Sequence, residues 1–378
     1  MPDAPLSSST PITPAQAHTG VRVGANRRQL QTIQAARGVA AQTVVAFHLT
    51  MFVSESYAKT ALWGSLFERG FAGVDLFFVI SGFVIVYTSQ EYIDRPGQLR
   101  TYLTKRFVRV YPMYWLSVLG MTALMVLSYL AGGPAVRNSI DSQWPNLTTF
   151  LLTPYHKILN GVSWSLSYEL FFYLLFACLI VSRRLWVVPV LFLLGSLYVT
   201  VTQSYFVPGE TPVIRYFWFS PLNVEFALGA IVGVWFTRRP PQLWLGTLLG
   251  TLGLVWLFAL PNTLNEYLSQ RLGHYGIASF LLLTGLLTLE HAFTLKLPRW
   301  MVLTGDASYV IYLVHLPAML FFSRLIVRLF PAYTPTVSLL CLSFVVGITL
   351  LSIGIHRWIE KPLMRSLTAR LLPKTRPS

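Results

Sequence analysis

The sequence predicts an all-α integral membrane protein, a bundle of about ten transmembrane helices with the N and C termini cytoplasmic. Three observations carry that reading. Of 378 residues, 54% are hydrophobic and 11% charged, and mean hydropathy is +0.56, an apolar load that a soluble domain of this length cannot hide in its interior. The apolar residues fall into long runs separated by short hydrophilic gaps. The basic residues are sided: twenty Lys and Arg lie in the gaps that ten spans would place with the termini, and seven in the opposite gaps. By the positive-inside rule both termini face the cytoplasm, and the formal charge of +15 becomes an orientation signal and an attraction to anionic headgroups. Scattered in this way, the charge gives no nucleic-acid footprint; the lipid bilayer is the first partner.

Residues 1–30 are rich in Ser, Thr, Pro and Ala, hold no apolar run and include Arg27 and Arg28, which reads as a disordered cytoplasmic tail and not a signal peptide. The transmembrane domain is expected over 31–362. Its spans run approximately Ile33 to Val53, Leu66 to Ser89, Val110 to Ala131, Ser163 to Val181 and Leu185 to Gln203, each closed by a charged or Gly/Pro-containing gap. Trp218 to Phe236, Leu243 to Leu260, Tyr275 to Ala292, Ala307 to Val327 and Val337 to Arg357 follow in the same manner. Residues 363–378 read as a basic cytoplasmic tail. Cys178 and Cys341 both lie inside apolar runs, which excludes a disulfide framework or a CxxC metal site. No internal repeat supports a transporter architecture.

The first span carries two polar groups, Arg37 and His48, eleven residues apart. On a helix that spacing points both side chains the same way, about 16 Å apart along the axis. Snorkelling by the arginine and a carbonyl-bonded histidine are the plain alternative. Counting down the descending spans from their expected outer ends, Asp75, Glu169 and Glu225 fall near the depth of His48, which suggests a polar chamber open to the outside. A histidine backed by a carboxylate is a general base able to take the proton of an alcohol attacking an ester or thioester. Asp75 is the first choice of orienting group, because a short gap joins its span to the first; Glu169 is the second. At the other end, RFVR places Arg106 and Arg109 three residues apart at a helix start, an arrangement suited to a polyphosphate and equally to ordinary topology arginines. His315, with Tyr309 and Tyr312 at helical spacing, either lines a donor path or is a tyrosine-bonded structural histidine. The WIEKP stretch containing Glu360 is expected to dock a helix end, by pairing with a loop arginine. No GxSxG, HExxH or Walker loop is present, and no spacing suggests a metal.

With these residues in place the chain resembles the acyltransferase-3 family of integral membrane O-acyltransferases, which includes bacterial O-acetyltransferases of lipopolysaccharide, exopolysaccharide and Nod factor. The resemblance rests on Arg37-x10-His48, GVDLFFVISGFVI at 73–85, RFVRVYPMYW at 106–115, WSLSYELFFY at 164–173, FALG at 226–229, GDASYVIYLVH at 305–315 and WIEKP at 358–362, in the family order. It implies an acyl-CoA donor, usually acetyl-CoA, bound from the cytoplasm, and a saccharide hydroxyl as acceptor on the far side. Arg37, His48, Arg106 and Arg109 match the residues tied to activity. The extracytoplasmic esterase-like domain of longer members has no counterpart after the tenth span, so a stand-alone enzyme of the cytoplasmic (inner) membrane is expected. Direct transfer with His48 as base and an acyl-histidine intermediate both remain open. Glu225, Tyr309 and His315 are then candidates to line the substrate path. The competing reading, from another class, is a proton-coupled transporter or flippase of a lipid-linked saccharide, in which the same buried groups would be relay sites.

Overall fold

A computed structural model of the chain describes residues 30–57, 60, 62–63, 66–130, 145–154, 159–202, 217–239, 242–259, 268–293 and 295–372; the expected N-terminal tail, Arg137, His156 and Arg215 lie outside them. No strand occurs among the described residues. The helices are α1 (Gln31–Ser56), α2 (Gly73–Ser89), α3 (Leu99–Leu130), the short α4 (Leu147–Leu151), α5 (Trp164–Val181), α6 (Val187–Val201) and α7 (Leu222–Arg238). They continue with α8 (Leu243–Ala259), α9 (Leu268–Arg271), α10 (Ile277–Phe293), α11 (Arg299–Asp306), α12 (Ser308–Leu329), α13 (Pro335–Ile355) and α14 (Lys361–Leu371).

Every apolar run read from the sequence is helical. Eight helical stretches among the described residues are long and apolar enough to cross a membrane, and α7 and α8, at 17 residues each, are shorter. Several edges differ from the hydropathy reading. α3 starts at Leu99 and not near Val110, because LRTYLTKRFVR, too polar to register as a span, is made of good helix formers and continues the same helix. α2 starts at Gly73, not Leu66, because a 3-10 turn over Gly70–Ala72 precedes it. The first part of the expected basic tail is also helical: a π turn over His356–Glu360 carries α13 into α14, which packs on α3.

α1 is the axis of the bundle, touching α2, α10, α11, α12 and α13. Its first turn is held from outside. The Glu290 carboxylate on α10 accepts from Gln31 N (2.8 Å), Thr32 N (2.9 Å) and Thr32 Oγ1 (2.5 Å), which satisfies free helix donors and places a negative charge at the positive end of the dipole. That contact fixes where Arg37, little more than one turn further on, can point.

The tightest crossing is α2 on α7. Gly82 lies against the carbonyl of Phe226 and Gly229 against that of Val79, so the two backbones meet with no room for a Cβ on either side. Small residues are how membrane helices approach this closely. Gly229→Val is therefore expected to destabilise the bundle by about 1–3 kcal/mol, the usual penalty of overpacking. Gly97→Val, at a glycine with nothing within 4 Å of a built Cβ, is the neutral control. Thermal unfolding of the purified proteins in detergent, followed by size-exclusion chromatography, reads the difference.

Candidate active site

Arg37 and the RFVR arginines, which the sequence separates by about seventy residues, face one cavity of about 290 Å³. Arg37, Arg106, Arg109, Glu169, Tyr173, Ser308, Tyr309 and Tyr312 line it, with Phe77, Ile80 and Ile85 on the apolar side. Arg109 is committed: its Nη1 donates to Glu360 Oε1 at 2.8 Å, and the other oxygen of that fully buried carboxylate meets His356 Nδ1 at 2.6 Å. The loop-arginine contact expected of WIEKP is this one. Its guanidinium also stands over the Tyr309 ring, 5.1 Å from the centroid. Arg106 donates only to hydroxyls, Thr88 Oγ1 at 2.9 Å and Ser89 Oγ at 2.8 Å, and lies over the rings of Tyr102 and Tyr173. Its Nε has no partner.

Arg37 makes no hydrogen bond or ion pair among the described residues, although Arg109, Glu169 and Glu360 are all within its electrostatic reach. The buried hydroxyl of Ser308, in the same lining, is also without a partner. Glu169 is already bonded to the Tyr173 hydroxyl. Three arginines thus meet two carboxylates, and the polar atoms left over are donors. A cavity in this state is prepared for an anion.

From this layer a ladder climbs α12. Tyr309, Tyr312 and His315 follow at three-residue steps: Tyr309 Oη donates to Val110 O (2.8 Å) and Tyr312 Oη meets Ser165 Oγ (2.9 Å). The fully buried His315 brings its Nε2 to 3.3 Å from His48 Nδ1. The His48 and His315 rings are 5.1 Å apart between centroids. Phe77 packs edge-on against Tyr312 at 5.9 Å, at the end of the cavity toward the histidines. The Arg37-to-His48 spacing on α1 and the Tyr309-to-His315 spacing on α12 therefore connect the same two levels.

The carboxylates expected beside His48 are elsewhere. Asp75, the first choice of orienting group, is fully buried and bound on both oxygens by Arg271, Nε to Oδ1 at 2.7 Å and Nη2 to Oδ2 at 2.9 Å. It sits in the first turn of α2 because that helix starts late, and there it meets the chain entering α10. Arg271 had counted only as a topology residue; a lone arginine at the edge of an apolar run was the signal for a buried carboxylate partner. Glu225 lies in the first turn of α7 against the Asp75–Arg271 pair, both oxygens without hydrogen-bond partners, and it is not part of the cavity lining. Glu169 belongs to the arginine layer, not to the histidine layer. The cause is the connection before α5: Asn160 donates to Ser117 Oγ (3.0 Å) and Leu313 O (2.8 Å), so the chain has entered the bundle before α5 begins. α4 supports this entry, its Leu151 and Thr149 carbonyls accepting from Tyr111 and Tyr114 on α3. Counting depth from Ser163 therefore placed Glu169 too near the outer end.

The sequence model of the acyltransferase-3 family, described as an acyltransferase domain, matches residues 30–355. The chain is 29% identical over 320 residues to the exopolysaccharide production protein ExoZ of Rhizobium meliloti, covering 81% of this chain and 93% of that protein. It is 27% identical over 327 residues to the peptidoglycan O-acetyltransferase OatA of Listeria monocytogenes, covering 77% of this chain and 50% of that longer protein. A third relative, the acyltransferase MdmB of Streptomyces mycarofaciens, is 28% identical over 242 residues, which is 55% of this chain and 59% of that protein. No solved structure matches.

Removing one partner of the buried Asp75–Arg271 pair leaves a charge in a dry interior. Asp75→Asn is expected to cost about 3–5 kcal/mol of stability, and Asp75→Leu combined with Arg271→Met to recover most of it. Thermal stability of the three variants in one detergent checks both parts; a double variant no better than the single one would show that Asp75 has a role beyond this pair.

Proposed function

We propose, from the premise that this chain belongs to the acyltransferase-3 family, that it is a membrane O-acyltransferase moving an acyl group, acetyl first among candidates, from acyl-CoA to a saccharide hydroxyl. The observation that carries this reading is the unpaired Arg37 sharing one cavity with Arg106 and Arg109. With Arg109 held by Glu360, Arg37 and Arg106 are the guanidiniums free to take the phosphates of the donor. A volume of about 290 Å³ is at the small end for a ligand site, so it suits one phosphate-bearing arm of the donor and not the whole nucleotide. The arginine layer and both termini are assigned to the cytoplasm, where acyl-CoA is made, and the membrane to the inner membrane of a bacterium. The acceptor is an extracytoplasmic or lipid-linked saccharide, as the printed names of the two relatives ExoZ and OatA suggest. None of these relatives is named a transporter, so the flippase reading gains nothing.

The donor's thin thioester arm follows the tyrosine ladder toward His48. His48 Nε2 takes the proton of the acceptor hydroxyl as its oxygen attacks the thioester carbon. The new O–C bond forms, the C–S bond breaks, and the proton on the imidazolium passes to the leaving sulfur, giving an ester and free CoA thiol. No metal enters this chemistry.

Labelled acetyl-CoA mixed with the purified protein, with and without saccharides, should release thiol. His48→Ala should cut turnover by about 10²- to 10⁴-fold while leaving donor affinity nearly unchanged, since a base acts in the transition state. Arg37→Ala and Arg106→Ala should chiefly raise the Michaelis constant for acetyl-CoA, and lysine at either position should restore part of the loss, supplying charge without the planar fork. CoA affinity that ignores both alanine substitutions would remove the cavity from the donor path.

A further inference from the structure

We propose that His315 is the positioning residue of the base: a neutral imidazole whose Nε2 accepts a hydrogen bond from His48 Nδ1–H, in the place that a carboxylate fills in a catalytic triad. The inference rests on the reading of His48 as general base and names the group that supports it.

The hydrogen positions follow from the acceptors. His48 Nδ1 lies 2.9 Å from the Val44 carbonyl and His315 Nδ1 lies 3.0 Å from the Ile311 carbonyl, each one turn back on its own helix. A carbonyl oxygen only accepts, so each Nδ1 carries the hydrogen and each neutral ring has a bare Nε2. The bare Nε2 of His315 faces His48 Nδ1 at 3.3 Å, and the hydrogen there is shared between it and the Val44 carbonyl. His48 Nε2 is left with its lone pair and no partner among the described residues, the state a base requires.

No carboxylate competes for the place. Asp75 is bound by Arg271, Glu169 by Tyr173 and Glu360 by Arg109 and His356, and none bonds to His48. Total burial of His315 keeps water from replacing it. Its ring is aimed by the next rung of the ladder, where Tyr312 is pinned to Ser165. When His48 Nε2 takes a proton, the Nδ1–H becomes part of an imidazolium, and an acceptor already in place strengthens its hold without reorganising. A neutral partner does this without burying another charge, which in a membrane interior costs several kcal/mol.

The test compares His315→Leu, which deletes the acceptor, with His315→Gln, whose amide oxygen reaches where Nε2 stood. Full-length protein labelled with ¹⁵N-histidine in lipid nanodiscs reports the tautomer of His48 directly. Thiol release from acetyl-CoA, with chemically deacetylated bacterial exopolysaccharide as the acceptor probe, reports the kinetics. The leucine variant should lower kcat about tenfold to a hundredfold, the usual loss when an orienting partner of a histidine is removed, with the Michaelis constant for acetyl-CoA within about twofold. Its His48 should show a mixture of tautomers, and the glutamine variant should restore both the rate and the Nδ1–H form. A leucine variant that keeps the wild-type tautomer and kcat overturns the proposal, as does a folded, CoA-binding glutamine variant no better than leucine. Should the wild-type protein release no thiol at all, the acyltransferase reading falls, and the nitrogen spectra still decide whether His315 holds His48.

Discussion

A charge placed among apolar helices has to be met by something, and the polar organisation of this bundle follows from that constraint. Leaving one unmet costs several kcal/mol, so each buried carboxylate or guanidinium draws a partner from a distant part of the chain. Asp75 draws Arg271, joining α2 to the entry of α10; Glu360 draws Arg109, fastening the end of α13 to α3; Glu290 draws the first turn of α1. These contacts fix the helices relative to one another more specifically than apolar packing does. Against that background the unpaired Arg37, and the partnerless Ser308 hydroxyl beside it, stand out as groups held ready for a ligand.

Two levels emerge, with different chemistry. The lower one concentrates positive charge around a cavity and suits recognition of phosphate. The upper one is nearly free of charge, built from two imidazoles and the aromatic groups around them, and suits proton transfer. Separating them along α1 and α12 by about 16 Å keeps the arginines from suppressing protonation of the base, while leaving both within reach of one long donor.

Much of this was legible in the sequence, and the rest failed for definable reasons. Composition and run length located every long helix, because burial in lipid requires unbroken apolar length. Arg37 and His48 could be placed on one face from their spacing alone. The link of RFVR to Arg37 could not, since it is made by helix packing across seventy residues. The carboxylates were misplaced because depth was counted from assumed span edges. α2 begins seven residues later than hydropathy suggested, and the chain before α5 is already inside the bundle when Asn160 bonds to Leu313. Polar loop residues that bury themselves by bonding to other helices look in sequence like any surface loop. His315 was recognised as a candidate, but its partner was invisible until α12 was laid beside α1.

The π turn at His356–Glu360 makes that stretch sensitive to codon count. A π turn holds one residue more than an α turn, so a single in-frame deletion there would let the helix close to ordinary α geometry at little local energetic cost. Everything downstream would rotate by about 100°. Glu360 would swing away from Arg109, and the face of α14 now on α3 would turn off it. A gene that tolerates substitutions at the exposed Arg357, Trp358 and Ile359 would therefore not tolerate losing any one of them, and length, more than chemistry, is what selection would hold constant in this segment.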